Sequence, residues 1–279
     1  MNIVVIGHGM VGHKFLEQLH ALGVADANVT VLCEEPRAAY DRVHLSEFFS
    51  GKSAEDLSLV APGFFEASGF TLRLAARAAA VERRERTVTT ADGEVIPYDR
   101  LVLATGSAPF VPPVPGRDRP HCFVYRTIED LEAMQASAAR SRTGVVVGGG
   151  LLGLECAKAL RDLGLETHVV EFAPRLMAVQ VDDGGGRVLR SKIEDLGVQV
   201  HTGRNTLEIT DGATARHRMV FADGTHLETD MIVFSAGIRP RDEIARQCAL
   251  AIGPRGGVAV DDHCRTSDRN VYAIGECAS

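Results

Sequence analysis

Two short stretches constrain this chain more than any other feature. Residues 4–12 read VVIGHGMVG, and residues 145–155 read VVVGGGLLGLE. Each is an apolar run that enters G-x-G-x-x-G and continues at helical spacing. A strand that turns sharply on glycine into a helix is the opening of a βαβ nucleotide-binding unit. One such string arises readily by chance. Two in matched surroundings do not.

The surroundings match in order. In the first half, IVVIG (3–7) predicts a strand and MVGHKFLEQLHALG a helix, with Val11, Phe15, Leu16 and Leu19 on one face. The strand VTVLC (29–33) follows and ends at Glu34 and Glu35. TVTTADGEVIPYD (87–99) alternates around Asp92-Gly93, a hairpin signal, and LVLATG (101–106) comes next. In the second half, GVVVG (144–148) is followed by a helix over LLGLECAKALRDLG and by the strand ETHVVE, which ends at Glu171. HRMVFADGTHLETD (217–230) pivots on Asp223-Gly224, and MIVFSAG (231–237) comes next. Asp92 precedes Asp223 by the same interval as Gly106 precedes Gly237. The chain therefore reads as two βαβ units, each with an inserted hairpin.

Between them, APFVPPVPGRDRP (108–120) is dense in proline, which fixes φ and predicts a stiff, non-helical crossover. TIEDLEAMQASAA (127–139) predicts a helix capped by Thr127. After residue 237 the pattern changes: two short strands are expected, the last being VYAIG, which leads to Glu276. These breaks give expected domains of 1–112, 113–238 and 239–279, the last returning to the first.

In each turn the first Gly of the motif makes the bend, the second admits a pyrophosphate and the third packs helix on strand. These are Gly7, Gly9 and Gly12, with Met10 opening the helix, and Gly148, Gly150 and Gly153, with Leu151 opening the helix. Free N–H groups at the helix start would meet the phosphates. An acid about 20 residues on accepts hydrogen bonds from a ribose hydroxyl. In the second unit that acid is Glu171, which favours NADH over NADPH, with Arg175 close enough to soften the preference. In the first unit Glu34 and Glu35 compete for the role. Two dinucleotide sites in one chain suggest hydride transfer from nicotinamide to flavin, with the protein supplying position and electrostatics.

Composition excludes other classes. The net charge is −7 with no cluster of Lys and Arg to offset it, so nucleic acid is not an expected partner. No apolar run is long enough to span a membrane and no secretory leader is evident, so a cytoplasmic protein is expected. The six cysteines include no C-x-x-C pair, and His263-Cys264 lacks a second ligand pair, so no metal site is expected. His8 fills a variable position of the first turn and is expected to face solvent, a ring contact with phosphate or flavin being the alternative. His44 reads as a loop or helix-surface histidine, and ERRER (82–86) as a solvated hairpin edge.

The strings LVLATG, SAGIRP and VYAIGE, together with the two glycine turns, resemble the pyridine nucleotide–disulfide reductase superfamily. The resemblance implies an α/β chain with two Rossmann-like domains of the glutathione-reductase type, flavin first and nicotinamide second. It implies that Glu276 binds the flavin ribityl chain. The redox C-x4-C of the disulfide reductases is absent, which points to the ferredoxin/rubredoxin-reductase branch. EEPRAAYDRVHLSEFFSGKSAEDLSLV (34–60), CFVYRTIEDL (122–131) and GGGLLGLE (148–155) are similar to the N-terminal part of NAD(P)H-dependent assimilatory nitrite reductase large subunits.

By that resemblance Glu35 and Arg42 bind FAD, with the Ala78 backbone near the adenine. Thr105 and Gly106 line the flavin, Glu155 approaches the nicotinamide, and Gly237 lies beside the bound dinucleotide. Glu47 stands where related flavoproteins carry Lys. No side chain is required as an acid or base. The family continues into an iron–sulfur segment and a sirohaem region, so the chain is expected to be cut short after Glu276. Its electron acceptor is then expected in that further region or in a small subunit. A fragment of a stand-alone ferredoxin or rubredoxin reductase, or a non-catalytic dinucleotide-binding module, stays as the alternative.

Overall fold

The structure is a computed structural model that describes residues 1–24 and 27–279. The described residues form two compact units. The first comprises 1–43, 54–108 and 239–279, and the second 44–53 and 109–238. The segment 44–53 thus groups with the second unit although it lies within the first in sequence, and the crossover falls after Ala108.

The first unit is built on a parallel sheet ordered Val271–Ala273, Arg100–Leu103, Asn2–Ile6, Asn28–Leu32, Thr71–Arg73. Successive residues of a strand face opposite sides. Ile3 and Val5 point to the side covered by the helix Met10–Ala21, where they pack with Leu16, Val29, Val31 and Val102. Val4 and Ile6 point to the other side and pack with Leu101, Leu103, Val81 and Val88. Both sheet faces are covered, which is why these strands read as unbroken apolar runs.

The second unit repeats the plan. Its parallel sheet is ordered Val198–Thr202, Glu166–Glu171, Thr143–Val147, Met231–Phe234, Cys122–Val124. Val145, Val170, Ile232 and Phe234 pack with Ile209, Met219 and Phe221. The helix Leu151–Asp162 follows the glycine turn.

Three differences from expectation have physical causes. Each inserted hairpin is one strand larger. Ala78–Glu82 joins Thr87–Thr90 and Val95–Pro97, and Thr206–Asp211 joins His217–Phe221 and His226–Thr229. Ala78–Glu82 reads AAAVE, an alanine-rich string with no strand signature of its own. The helix Asp183–Asp195 opens DGGGR, a poor helical start, and is held by the Asp182 side chain accepting the Gly185 N–H at 2.8 Å. Of the two strands expected after 239, only Val271–Ala273 forms; the other reduces to isolated bridges such as Ile252 to Val258. The cap at Thr127 is a full capping box, with the Asp130 side chain returning to the Thr127 N–H at 2.9 Å. Among the described residues, no helix is long and apolar enough to cross a membrane.

Candidate functional site

Each parallel sheet gathers its sequence-marked residues at the carboxyl ends of its strands, where open α/β sheets take ligands. In the first unit the strand Asn2–Ile6 runs into Gly7, which adopts φ +106°. A Cβ at Gly7 would lie 2.2 Å from the Ala104 carbonyl, and one at Gly12 would lie 2.5 Å from the Gly7 carbonyl. At Gly9 a Cβ would meet nothing within 4 Å. The second unit repeats this residue by residue. Gly148, at φ +125°, would place a Cβ 2.2 Å from the Ser235 carbonyl, and Gly153 would place one 2.0 Å from the Gly148 carbonyl, while Gly150 faces open space.

The three glycines therefore do different work. The outer two are required by the protein's own packing. The middle one is required by no protein atom, and its missing side chain keeps a cradle clear at the start of the helix. Gly9 and Gly150 are the N-caps of the Met10 and Leu151 helices, with no capping side chain and no acid in either first turn. The free N–H groups and the positive end of the helix dipole are left for an anion. These observations fit the pyrophosphate of a dinucleotide in both units.

The acids differ in setting. Glu171 ends its strand and accepts the Gly149 N–H at 2.5 Å and the Ala173 N–H at 2.6 Å. Its carboxylate is fixed at the glycine turn with lone pairs to spare. Arg175 is directed elsewhere: it donates to the Val181 and Ala178 carbonyls and to Asp183 at 2.8 Å. The expectation that it softens a repulsion at Glu171 finds no support, because its donors are committed to its own loop.

In the first unit Gly7 N–H bonds to Leu32 O as Gly148 N–H bonds to Val170 O. By that register the counterpart of Glu171 is Cys33, and both candidate acids lie beyond it. Glu34 is directed outward to Arg241 and Arg77. Glu35 is held inward by Arg42 and by the Tyr40 hydroxyl at 2.7 Å, and the Arg42 guanidinium stacks on the Tyr40 ring at 4.8 Å. Burial first, with the Glu35 charge adding to it against Arg42 and the backbone N–H of His8, raises the Cys33 thiol to about 11. Glu35, Arg42, Cys33 and the glycine turn are therefore neighbours.

The remaining residues of the first unit close around the same edge. Thr105 donates its hydroxyl to the Arg241 carbonyl at 2.6 Å, and the Gly106 carbonyl accepts the Arg241 N–H at 2.9 Å. Gly275 abuts Val11 in the first turn of the helix. Next to it, Glu276 accepts the hydroxyl of buried Ser107 at 2.7 Å. Ala78 opens its strand beside Ala75 and Ala76, whose N–H groups bond to the Glu35 and Cys33 carbonyls.

The second unit carries a cavity of about 170 Å³ lined by Tyr125, Arg126, Gly150, Leu151, Ser235 and Gly237 among others. Leu151 and Gly237 were marked by sequence; Tyr125 and Ser235 were not. The signal for Ser235 was its place in SAGIRP. Tyr125 follows the three-residue strand Cys122–Val124, and its signal was its place in CFVYRTIEDL. The ring of Tyr125 is buried and stacks with Phe49 at 6.5 Å. Glu155 lies in the second turn of its helix; burial raises its carboxyl, opposed by His44.

Two further residues depart from expectation. His8 is buried, with 4% exposure, instead of facing solvent. Arg83 of the ERRER run is tied inward to Asp268 at 2.9 Å and to the Cys248 and Ala249 carbonyls. His44 is exposed and precedes the turn Leu45–Ser50, as expected for a loop position. Glu47 pairs with Lys52. The six cysteines are unpaired thiols.

The whole chain, residues 1–279, matches the pyridine nucleotide-disulphide oxidoreductase family. It is 56% identical to the NADH nitrite reductase large subunit of Escherichia coli (strain K12), over all of this chain and 33% of that protein. It is 30% identical to the rubredoxin-NAD(+) reductase of Pseudomonas putida, over all of this chain and 72% of that protein. Among solved structures, the NAD-dependent persulfide reductase of A. fulgidus aligns with a TM-score of 0.93 at 28% identity, over all of this chain and 53% of that one. The chain thus spans about a third of the length of the nitrite reductase subunit that it matches.

Proposed function

Since this chain belongs to the pyridine nucleotide-disulphide oxidoreductase family, we propose that it binds FAD in its first unit and NADH in its second. In this reading it is the electron-input module of an NADH-dependent nitrite reductase. The observation that carries the reading is the paired cradle. Gly9 and Gly150 are clear of protein atoms, while the glycines on either side of each are locked by packing. Bound flavin would take a hydride from reduced nicotinamide and release the electrons one at a time to iron centres.

The chain's own residues bind and orient. Gly7, Gly9, Met10 and Gly12 would receive the FAD pyrophosphate, with Glu35, steadied by Arg42, on the adenosine ribose and the Ala78 backbone beside the adenine. Glu34, paired with Arg241 and Arg77, is the less suited acid. Thr105 and Gly106 would line the isoalloxazine, and Glu276, steadied by Ser107, would meet the ribityl chain. Gly148, Gly150, Leu151 and Gly153 would hold the NADH pyrophosphate and Glu171 its ribose. Glu155 and Gly237 would flank the nicotinamide half. A 2′-phosphate at Glu171 would face a carboxylate, and Arg175 is committed to its own loop, so NADH is the preferred donor and NADPH a poor one.

The 56% identity over the entire chain favours the nitrite reductase reading over a stand-alone rubredoxin reductase, where identity is 30%. The sirohaem and iron–sulfur centres of that reading, and the nitrite chemistry, would lie outside these residues, and the acceptor there or in a small subunit would take the electrons. The test is the visible spectrum of the chain with added FAD, before and after anaerobic NADH. Bound flavin that bleaches supports the reading. Flavin that binds without bleaching leaves a non-catalytic module, and failure to take up flavin in a chain extended past Ser279 would sink the flavoprotein reading.

A further inference from the structure

His8 fills the position between the first two glycines of the first turn, and it is enclosed. Its Nδ1 accepts the Ala39 N–H at 3.1 Å. The ring meets His13 and Phe65 edge-on, with centroids 5.3 and 5.5 Å away. Since Nδ1 accepts, the neutral ring carries its hydrogen on Nε2. That nitrogen is buried and has no hydrogen-bond partner among the described residues. A residue chosen for packing alone would not leave a buried donor unmet.

The second unit shows what the position is for. There the corresponding residue is Gly149, where a Cβ would come 2.6 Å from the Leu176 side chain. The Gly149 N–H bonds directly to Glu171, so the ribose acid is itself tied to the glycine turn. In the first unit the His8 N–H faces the Cys33 thiol in that register, and a thiol is a weak acceptor. The acids come later, on a segment whose backbone bonds run to Leu57, Leu59 and Ala75. Ala39 belongs to that segment, and Tyr40 and Arg42 beyond it grip Glu35.

We propose that His8 is a positioning residue of the first dinucleotide site: its imidazole fastens the 35–42 segment, and through it Glu35, to the glycine turn, replacing the direct bond that Glu171 makes in the second unit. The proposal rests on the flavin reading of the first unit for its ligand, and on geometry for the tether itself. The group required is an acceptor at the Nδ1 position, not an ionisable ring. Asn presents its Oδ1 at nearly that place, and Leu presents none.

The test compares the wild-type chain with His8→Asn and His8→Leu. Three quantities are read: hydrogen exchange of the peptide containing Ala39 without FAD, the affinity for FAD, and the affinity for NADH. NADH binding reports a folded second unit, and the melting temperature reports overall integrity. With the tether, H8L exchanges the Ala39 amide at least about tenfold faster and binds FAD about tenfold more weakly, as expected for one lost hydrogen bond. H8N stays near wild type in both, and NADH binding is the same in all three. An Ala39 amide as protected in H8L as in wild type overturns the proposal, as does equal FAD affinity across the series. Failure to take up FAD in a wild-type chain extended past Ser279 refutes the flavin reading instead, and the amide exchange alone then decides whether His8 is the tether.

Discussion

Glu171 accepts the Gly149 N–H at 2.5 Å, so the acid that ends the second strand is held against the glycine turn that precedes it by 22 residues. In the proposed reading this bond sets where the dinucleotide ribose is met. Donor choice should follow from it. The wild-type chain should reduce its flavin with NADH at a KM at least about tenfold below that for NADPH, since a good charged hydrogen bond contributes about 1.5–3 kcal/mol. Glu171→Ala should raise the NADH KM by a similar factor while changing the NADPH KM little. Stopped-flow flavin reduction with each donor measures this, and an unchanged ratio would remove Glu171 from the ribose site.

The glycines of each turn should separate by assay. Gly12→Ala and Gly153→Ala force a Cβ to within 2.5 and 2.0 Å of a carbonyl oxygen. Overpacking of this kind costs about 1–3 kcal/mol, so both should lower the melting temperature. Gly9→Ala and Gly150→Ala meet no protein atom. They should melt within about 1 kcal/mol of wild type yet weaken FAD and NADH respectively by tenfold or more. Thermal melts beside ligand titrations would show it.

The Arg42–Glu35 pair predicts a third result. Arg42 is both the partner of Glu35 and the cation stacked on Tyr40. Arg42→Ala leaves a half-buried carboxylate with the Tyr40 hydroxyl but without its charged partner, at about 1–3 kcal/mol. Arg42→Lys keeps the charge but not the planar stack. FAD affinity should therefore fall in the order wild type, Arg42→Lys, Arg42→Ala, with NADH affinity constant.

Acid should expose His8. Burial, with His13 alongside, pushes its imidazole down to about 4. The folded pKa lies below the unfolded one, so the unfolded state binds the extra proton first. Stability is full above about pH 6.5 and is lost as pH falls toward 4, by at most about 3 kcal/mol. The buried His13, His168 and His217 and the half-buried His201 are shifted the same way and add to the slope. The informative quantity is the difference: His8→Asn should flatten the stability curve between pH 4 and 6.5, measured by denaturant unfolding. An identical slope would mean that His8 is already charged in the folded state.

Much of the architecture was legible because local signals and tertiary packing agree. Both parallel sheets, both glycine turns and the Thr127 cap lie where the apolar runs and turn residues place them. The missed elements are those whose local signal is weak. Ala78–Glu82 has alanine where a strand favours branched residues, and Asp183–Asp195 opens on three glycines. Both form because the tertiary setting supplies what propensity does not.

The residues by themselves determined the duplication, the two dinucleotide turns and the short set of acids near them, because glycine and carboxylate chemistry at fixed spacing leaves few alternatives. Only the tertiary structure set how those acids are directed. Glu34 points to Arg241 and Glu35 to Arg42, although the two are adjacent and identical in kind. It likewise moved His8 from an expected solvent position to a buried tie on Ala39, and brought Ser107 to Glu276 across 169 residues. Direction and burial are set by what the rest of the chain packs against a side chain, and no local pattern carries that information.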